Sequence, residues 1–339
     1  MGHLKGYKFS LFCGCGGLDL GILGGFDYLG KRYEKLPTEI VYAGDFDKYC
    51  AEIYNNNFEK KCVVDDVKNL NISELPEFDL LAGGFPCQSF SISAQNPPRL
   101  GYKDERGKLF FEMVKVLKER QPRFFVAENV KGLLSANQGH AFPMIISEFA
   151  KVGYKIKYHL FNASNYGVPQ KRERVIIVGF KNEDDYFKFH FPYPTTPCKK
   201  VALKDVLDES ANNEDKWFFS EKAVAGMMAV KDKMNKGRAQ NLEQPCNTIS
   251  SHLAKVSLNS TDPVLKIGER YRRFTPRECA RIQSFPDDFD LSSVTETRQY
   301  KAIGNAVPPV LMWNIAKALA DLVEKQSSTS SDEFFKIAI

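Results

Sequence analysis

FSLFCGCGGLDLG, residues 9–21, is an apolar run that stops on three closely spaced glycines, Gly14, Gly16 and Gly17, and restarts as an amphipathic stretch. A strand that gives way to a helix through such a turn lets a nucleotide-like ligand reach the backbone at the strand's carboxyl end. The spacing is not the G-x-G-x-x-G dinucleotide pattern, and read alone the turn also fits a plain tight strand–helix connection. The rhythm then repeats along the chain. Strands are predicted over 8–12, 40–43, 78–82, 124–127, 155–161 and 174–180, and helices over 18–23, 49–56, 109–120 and 142–152. Strands alternating with helices imply an α/β fold with a mostly parallel, doubly wound sheet.

After 180 the rhythm fails, with HFPYPTTPC, an NNED stretch and few periodic elements up to about 265. Alternation returns at Thr275-Pro276, a helix opening because proline suits the first turn, and 309–325 reads as an amphipathic helix that packs back on the first unit. The expected division is therefore a main domain of 1–180 plus 266–325, an inserted domain of 181–265, and a polar, mobile tail of 326–339. At roughly 150 residues per domain, 339 residues suit this two-domain division.

Composition limits the class of protein. With 43% hydrophobic and 26% charged residues, collagen-like, coiled-coil and largely disordered chains are excluded. Eight cysteines without a C-x-x-C pair argue against a zinc or disulfide scaffold and for a reducing cytoplasm. No run approaches the roughly 18 apolar residues of a membrane span, and no targeting segment is visible. The net charge of +5 is mild, but its distribution is uneven. Residues 95–123 carry eight basic and four acidic side chains, 151–174 six and one, and 266–281 six and two, whereas 181–265 carries twelve of each. The three basic stretches are expected to form one positive surface.

Three further strand ends carry chemistry. In LLAGGFPCQSFS, 80–91, a rigid Gly-Gly-Phe-Pro turn sets Cys87 just outside the sheet. A lone cysteine is more often an inert core residue, but one beside a ligand turn is a nucleophile candidate; Gln88, Ser89 and Ser91 add donors suited to phosphates. FFVAENV, 124–130, ends an apolar strand on Glu128, where a carboxylate is either desolvated or paired and suits acid catalysis. In YGVPQKRERV, 166–175, period 2 puts Arg172 and Arg174 on one strand face, where guanidiniums grip carbonyl oxygens, carboxylates or phosphates. An ordinary charged strand edge is the other reading. Asp45 ends the second strand, where an acid commonly takes ribose hydroxyls, and Asp66 follows another apolar pair and suits an adenine amino group; for either acid a loop or cap residue is the other reading.

Together these strand ends, in this order, resemble the DNA (cytosine-5) methyltransferase family, and its bacterial restriction-modification type in particular. The resemblance spans nearly the whole chain, through FCGCGGLD, GFPCQSFS, AENV, QKRER, RRFTPRECARIQSFPDDF (272–289) and YKAIGNAVPP (300–309). It implies a Rossmann-like methyltransferase fold and S-adenosylmethionine as cofactor, with no metal. The cofactor residues it implies are Phe12, Gly14, Gly16, Gly17, Leu18, Asp45, Phe46, Asp66, Val67, Gly84, Pro86, Leu109, Asn305 and Val307. Cys87 is implied as nucleophile, Glu128 as the acid facing the base, Arg174 as the grip on O2 and Arg172 as an orienting group. Double-stranded DNA is the implied substrate, its cytosine flipped out of the duplex, with 91–108 as a lid whose Arg99, Lys103, Arg106 and Lys108 meet phosphates. The insert becomes the target-recognition domain, with Thr248 and Ile249 beside the flipped nucleotide and Arg238 reading a guanine. A monomer in the cytoplasm is expected, with a restriction endonuclease acting on the same site without a stable complex. A tRNA-modifying member would carry a Cys-Phe-Thr tripeptide, which this sequence lacks. A catalytically silent homologue would not need Cys87, Glu128 and Arg174 together, and a small-molecule methyltransferase would share only the cofactor turn.

Overall fold

The computed structural model describes residues 6–85, 109–229, 238–255 and 262–336, with the backbone alone for 6–7, 228–229 and 327–336. The chain begins with β1 (Gly6–Leu11), α1 (Gly17–Leu23), a hairpin of β2 (Phe26–Tyr28) and β3 (Lys31–Tyr33), β4 (Thr38–Asp45), α2 (Lys48–Asn57), β5 (Cys62–Val64) and β6 (Leu80–Gly83). It continues with α3 (Leu109–Arg120), β7 (Phe124–Val130), α4 (Ala141–Lys151), β8 (Lys155–Asn162), β9 (Gln170–Lys171) and β10 (Glu173–Phe180). Then come α5 (Glu183–Lys188), α6 (Glu221–Ala229), β11 (Cys246–Asn247), β12 (Leu265–Ile267), β13 (Arg270–Arg272), α7 (Pro276–Ile282), α8 (Glu296–Asn305) and α9 (Pro309–Lys336).

Seven strands form one sheet in the order β5-β4-β1-β6-β7-β10-β8. All neighbours run parallel except β10, which is antiparallel to both β7 and β8. The predicted α/β, mostly parallel, doubly wound sheet is therefore the fold. Alternate residues of one strand serve opposite faces, as the pleat requires. Leu81, Phe125 and Ile177 enter an apolar cluster with α3 and α4, while Ala82, Val126 and Ile176 enter another with α1, α2 and α9. Chain order reverses across β1 and β6, so a crevice opens beyond their carboxyl ends, the usual ligand edge of such sheets.

Lys8 and Ser10 break the apolar pattern of β1 for one reason: both bind the carboxylate of Asp19 on α1, in full burial. This fixes the helix that follows the glycine turn against its own strand.

The closing helix packs on α1, and Trp313 Nε1 donates to Glu34 O at 2.9 Å. It runs to Lys336, beyond the expected 325, since extending a docked helix costs little per residue. Gln326 anchors that extension by donating to Asp185 at 2.8 Å. The stretch Glu296–Gln326 is long and apolar enough to cross a membrane, contrary to the sequence expectation, yet 61% of its apolar window is buried inside the protein. It is a core element.

The charges of the basic stretch 266–281 are spent on protein partners: Lys266 and Arg270 are exposed but pair with Glu269 and Asp215, and Arg273 donates to Ala254 O at 3.1 Å. Arg272 and Glu278 are fully buried and bidentate, at 2.7 and 2.8 Å. Glu278 also closes the capping box of α7 with Thr275 and accepts Asp208 N at 3.0 Å, while Arg272 Nε donates to Asn212 at 2.8 Å. Arg277 is spent on the carbonyls of Pro286 and Phe289, and Arg281 on Asp287. An isolated buried charge is far costlier than a paired one. Arg272→Met is therefore expected to lower unfolding free energy by about 3–5 kcal/mol in urea titration; a loss under about 1 kcal/mol would contradict this role.

Candidate active site

The β1–α1 turn, the ends of β4, β6 and β7, the start of β10 and the turn after α8 enclose one cleft of about 340 Å³. Phe12, Gly14, Gly17 and Leu18 line it from the first turn. Phe12, Gly14 and Gly16 all hold positive φ, at 55°, 56° and 95°. For Phe12 that is uncommon backbone of the kind stored at functional sites. Asp45 and Phe46 close the neighbouring wall. Asp45 accepts Gly14 N and Asp47 N, one on each carboxylate oxygen at 2.8 Å, and burial pushes its carboxyl above the ordinary range. Phe46 is 70% exposed, an aromatic face offered at the rim. Gly84, Leu109, Asn305 and Val307 complete the lining among the predicted residues.

Glu128 and Arg174 meet in this cleft. Glu128 pairs in register with Ile176, and Arg174 stands two residues from Ile176 on the same face of β10. The result is an ion pair of 2.8 Å between Arg174 Nε and Glu128 Oε1, with side chains 11% and 12% exposed. Of the two expectations for Glu128, desolvated or paired, pairing is what the sheet builds. Gly84 lies directly against it: a Cβ there would stand 3.1 Å from Glu128 Oε2.

The strict alternation predicted over 170–174 fails at Arg172, where the strand breaks between β9 and β10. Arg172 is 1% exposed and turns beneath the α8–α9 turn. It donates to Ile249 O at 3.1 Å, Gly304 O at 3.0 Å and Ala306 O at 2.9 Å. Its guanidinium holds three backbone carbonyls while the residue also lines the cleft.

Other predicted residues fall elsewhere. Gly16, Asp66 and Val67 do not line the cleft; Asp66 is exposed and caps a short turn through Lys68 N at 3.0 Å. Thr248 is exposed beside the site strand and donates to Lys171 O at 2.8 Å, while Ile249 is 1% exposed and belongs to the core. Arg238 is 7% exposed with Nε donating to Asp262 O at 3.0 Å, so it is committed to the interior and not offered to a base. Pro86, Cys87, Gln88, Ser89, Ser91, Arg99, Lys103, Arg106 and Lys108 lie outside the described residues.

One pair escaped the sequence reading. Asp47 caps α2 and pairs with Lys301 of α8 at 2.7 Å across the cleft lining. Burial would raise its carboxyl, but the hydrogen bond and charge of Lys301 outweigh that and hold it below the ordinary range. Nothing local announces a pair between residues so distant in sequence. Asn129, next to Glu128, is 1% exposed and its Nδ2 donates to Phe85 O at 3.2 Å, tethering the chain two residues before Cys87. Cys13, Cys15 and Cys50 also line the cleft, but burial raises all three thiols, Cys15 to about 12. Among the described residues no cluster of three or more His, Cys, Asp or Glu is placed to hold a metal.

Comparison with known proteins gives this arrangement its relatives. Residues 7–321 match the family model described as C-5 cytosine-specific DNA methylase. The chain is 33% identical to the type II methyltransferase M.Bsp6I of Bacillus sp. (strain RFL6), covering 91% of this chain and 96% of that protein. It is 36% identical to the type II methyltransferase M.FnuDI of Fusobacterium nucleatum, covering 94% and 95%. Among solved structures, the Entamoeba histolytica methyltransferase EhMeth superposes with a TM-score of 0.72 at 17% identity over 94% of this chain and 99% of that one. A Spodoptera frugiperda DNMT2 variant gives 0.71 at 18% over 93% and 99%. At those identities the structures bear on the fold alone.

Proposed function

The chain belongs to the C-5 cytosine-specific DNA methylase family, and from that premise we propose how its side chains methylate C5 of a cytosine in duplex DNA. The observation that carries the reading is the meeting, in one cleft, of the glycine turn, the Glu128–Arg174 pair and the Asn129 tether to Phe85. In this reading Cys87, two residues beyond the tethered Phe85, supplies the nucleophile for the cytosine that Glu128 faces.

S-adenosylmethionine, when bound, supplies an electrophilic methyl group. The cleft suits it: the exposed Phe46 ring offers a stacking face for adenine, and each Asp45 oxygen retains acceptor capacity for ribose hydroxyls beside its backbone N–H bond. Gly84, Leu109, Asn305 and Val307, which line the cleft, would hold the methionine end, with Pro86 beside them in the sequence reading; Asp66 and Val67, which do not line it, are given no part.

Cytosine C5 is a weak nucleophile until C6 is attacked. The Cys87 thiolate adds to C6, and Glu128 relieves the charge pushed into the ring by holding a proton at N3 while its other oxygen accepts from the exocyclic amine. Arg174 grips O2 and holds Glu128 in place. After C5 accepts the methyl group, a water chain removes its proton and Cys87 leaves. Arg172 acts at one remove, through the carbonyls it binds. The chemistry assigned to these side chains calls for no metal.

None of this reaches a base inside a helix, so the target cytosine is flipped out. The main domain of 1–180 and 266–325 does the chemistry, 181–265 reads the sequence with Thr248 near the flipped nucleotide, and 91–108 closes over it with Gln88, Ser89, Ser91, Arg99, Lys103 and Arg106 toward the DNA. The enzyme works as a cytoplasmic monomer and protects sites cut by a cognate restriction endonuclease that it does not stably bind. Incubation with tritiated cofactor is expected to label plasmid DNA but not tRNA, and bisulfite sequencing to place the label on cytosines in one short sequence. Label on tRNA alone would sink the reading.

A further inference from the structure

Between the segment 246–250 and the turn 304–307 lies a rack of three buried side chains, Gln170, Arg172 and Gln283, each 1% exposed or less. Gln170 Oε1 accepts Ile249 N at 2.9 Å, and Gln170 Nε2 donates to Gln283 Oε1 at 3.0 Å. Gln283 Nε2 in turn donates to Ile303 O at 2.9 Å and Ala306 O at 3.4 Å. Arg172 joins the same two ends directly, from Ile249 O to Gly304 O and Ala306 O. Both backbone polar groups of Ile249 are thus held by side chains that also hold the turn bearing Asn305 and Val307.

The two ends also touch. A Cβ on Gly304 would lie 2.3 Å from the carbonyl carbon and oxygen of Ser250, so only glycine lets the backbones pass at this distance. The segment itself is registered on the site strand, with Cys246 opposite Gln170 and Asn247 opposite Lys171. A displacement of 246–250 therefore strains buried hydrogen bonds at 303–306, and each bond lost there leaves a buried donor or acceptor unmet.

We propose that Gln283 and Gln170 are positioning residues that tie target engagement by 246–250 to closure of the cofactor wall at 304–307. The inference rests on the functional reading above, which makes one end DNA-facing and the other cofactor-facing. Coupling between two binding sites is reciprocal and commonly amounts to about 5- to 150-fold in affinity.

The test measures S-adenosylhomocysteine affinity of the full chain by calorimetry, with and without a duplex that the wild type methylates. The readout is the ratio of the two dissociation constants, which a uniform loss of affinity leaves unchanged. In the wild type the duplex tightens S-adenosylhomocysteine binding at least about 5-fold. Gln283→Met and Gln170→Met each lower the ratio at least about twofold, the Arg172 bridge keeping the remainder, and the double variant goes no further because the two amides act in series. Gln283→Leu, which removes the amide without adding a charge, behaves alike and stands in if Gln283→Met does not fold. A wild-type ratio near one, an unchanged ratio in the variants, or additive losses in the double variant each overturn the proposal. Failure of the functional reading shows separately, as a wild type that methylates no duplex.

Discussion

Glu128→Gln is expected to slow methyl transfer by about two to four orders of magnitude in single turnovers, the range for removal of a positioned acid–base group. The substitution keeps shape and one carbonyl oxygen, so Arg174 Nε retains an acceptor at the end of β7. What is lost is the ability to hold a proton at N3 when charge enters the ring. Arg174 holds the side chain in place, and the space beside its other oxygen is the space that glycine at 84 leaves free. Binding of duplex DNA should weaken far less than the rate, which separates a chemical role from a structural one. A rate within about threefold of wild type, with DNA in excess, would falsify the assignment of Glu128 to the ring nitrogen.

The same pair shows what a sequence makes legible. Strand ends that carry ligands were readable because each is an apolar run closed by a glycine or a polar residue, and periodicity places both the run and its end. The predicted strands at 124–127 and 174–180 correspond to β7 (Phe124–Val130) and β10 (Glu173–Phe180), and the predicted helix 109–120 coincides with α3. The short hairpin of β2 and β3 was missed because three-residue strands carry no period; its turn shows only in the positive φ of Leu29 and Gly30. Charge was the least reliable guide. Nothing in RYRRFTPRECAR distinguishes an arginine that meets a phosphate from one that meets Glu278 inside the fold, since the sign of a side chain does not reveal its partner. Arg238 and Arg272 both went inward for that reason. The Asp47–Lys301 pair and the Gln170–Gln283 contact join residues 254 and 113 positions apart and exist only once the sheet has brought them together.

Cys87→Ser is expected to abolish both turnover and the covalent complex formed with duplex DNA carrying 5-fluorocytosine in the target position. In that substrate the thiolate adds to C6 and the methyl group to C5, but fluorine cannot leave as the proton does, so elimination stops and the adduct survives denaturing electrophoresis. Serine is close to cysteine in size but lacks a readily formed anion. The rest of the protein makes the outcome specific. Of the seven described cysteines, six are buried and only Cys198 is exposed. The three that line the cleft are held as thiols by burial, with Cys15 raised to about 12, so none competes as a nucleophile near neutral pH. Cys198→Ser should therefore leave the adduct intact, and peptide mapping of the wild-type complex should return the modified nucleotide on the peptide containing Cys87. An adduct that persists in Cys87→Ser, or that maps to Cys13, Cys15 or Cys50, would remove the nucleophile from its place in the mechanism and with it the role given to Glu128.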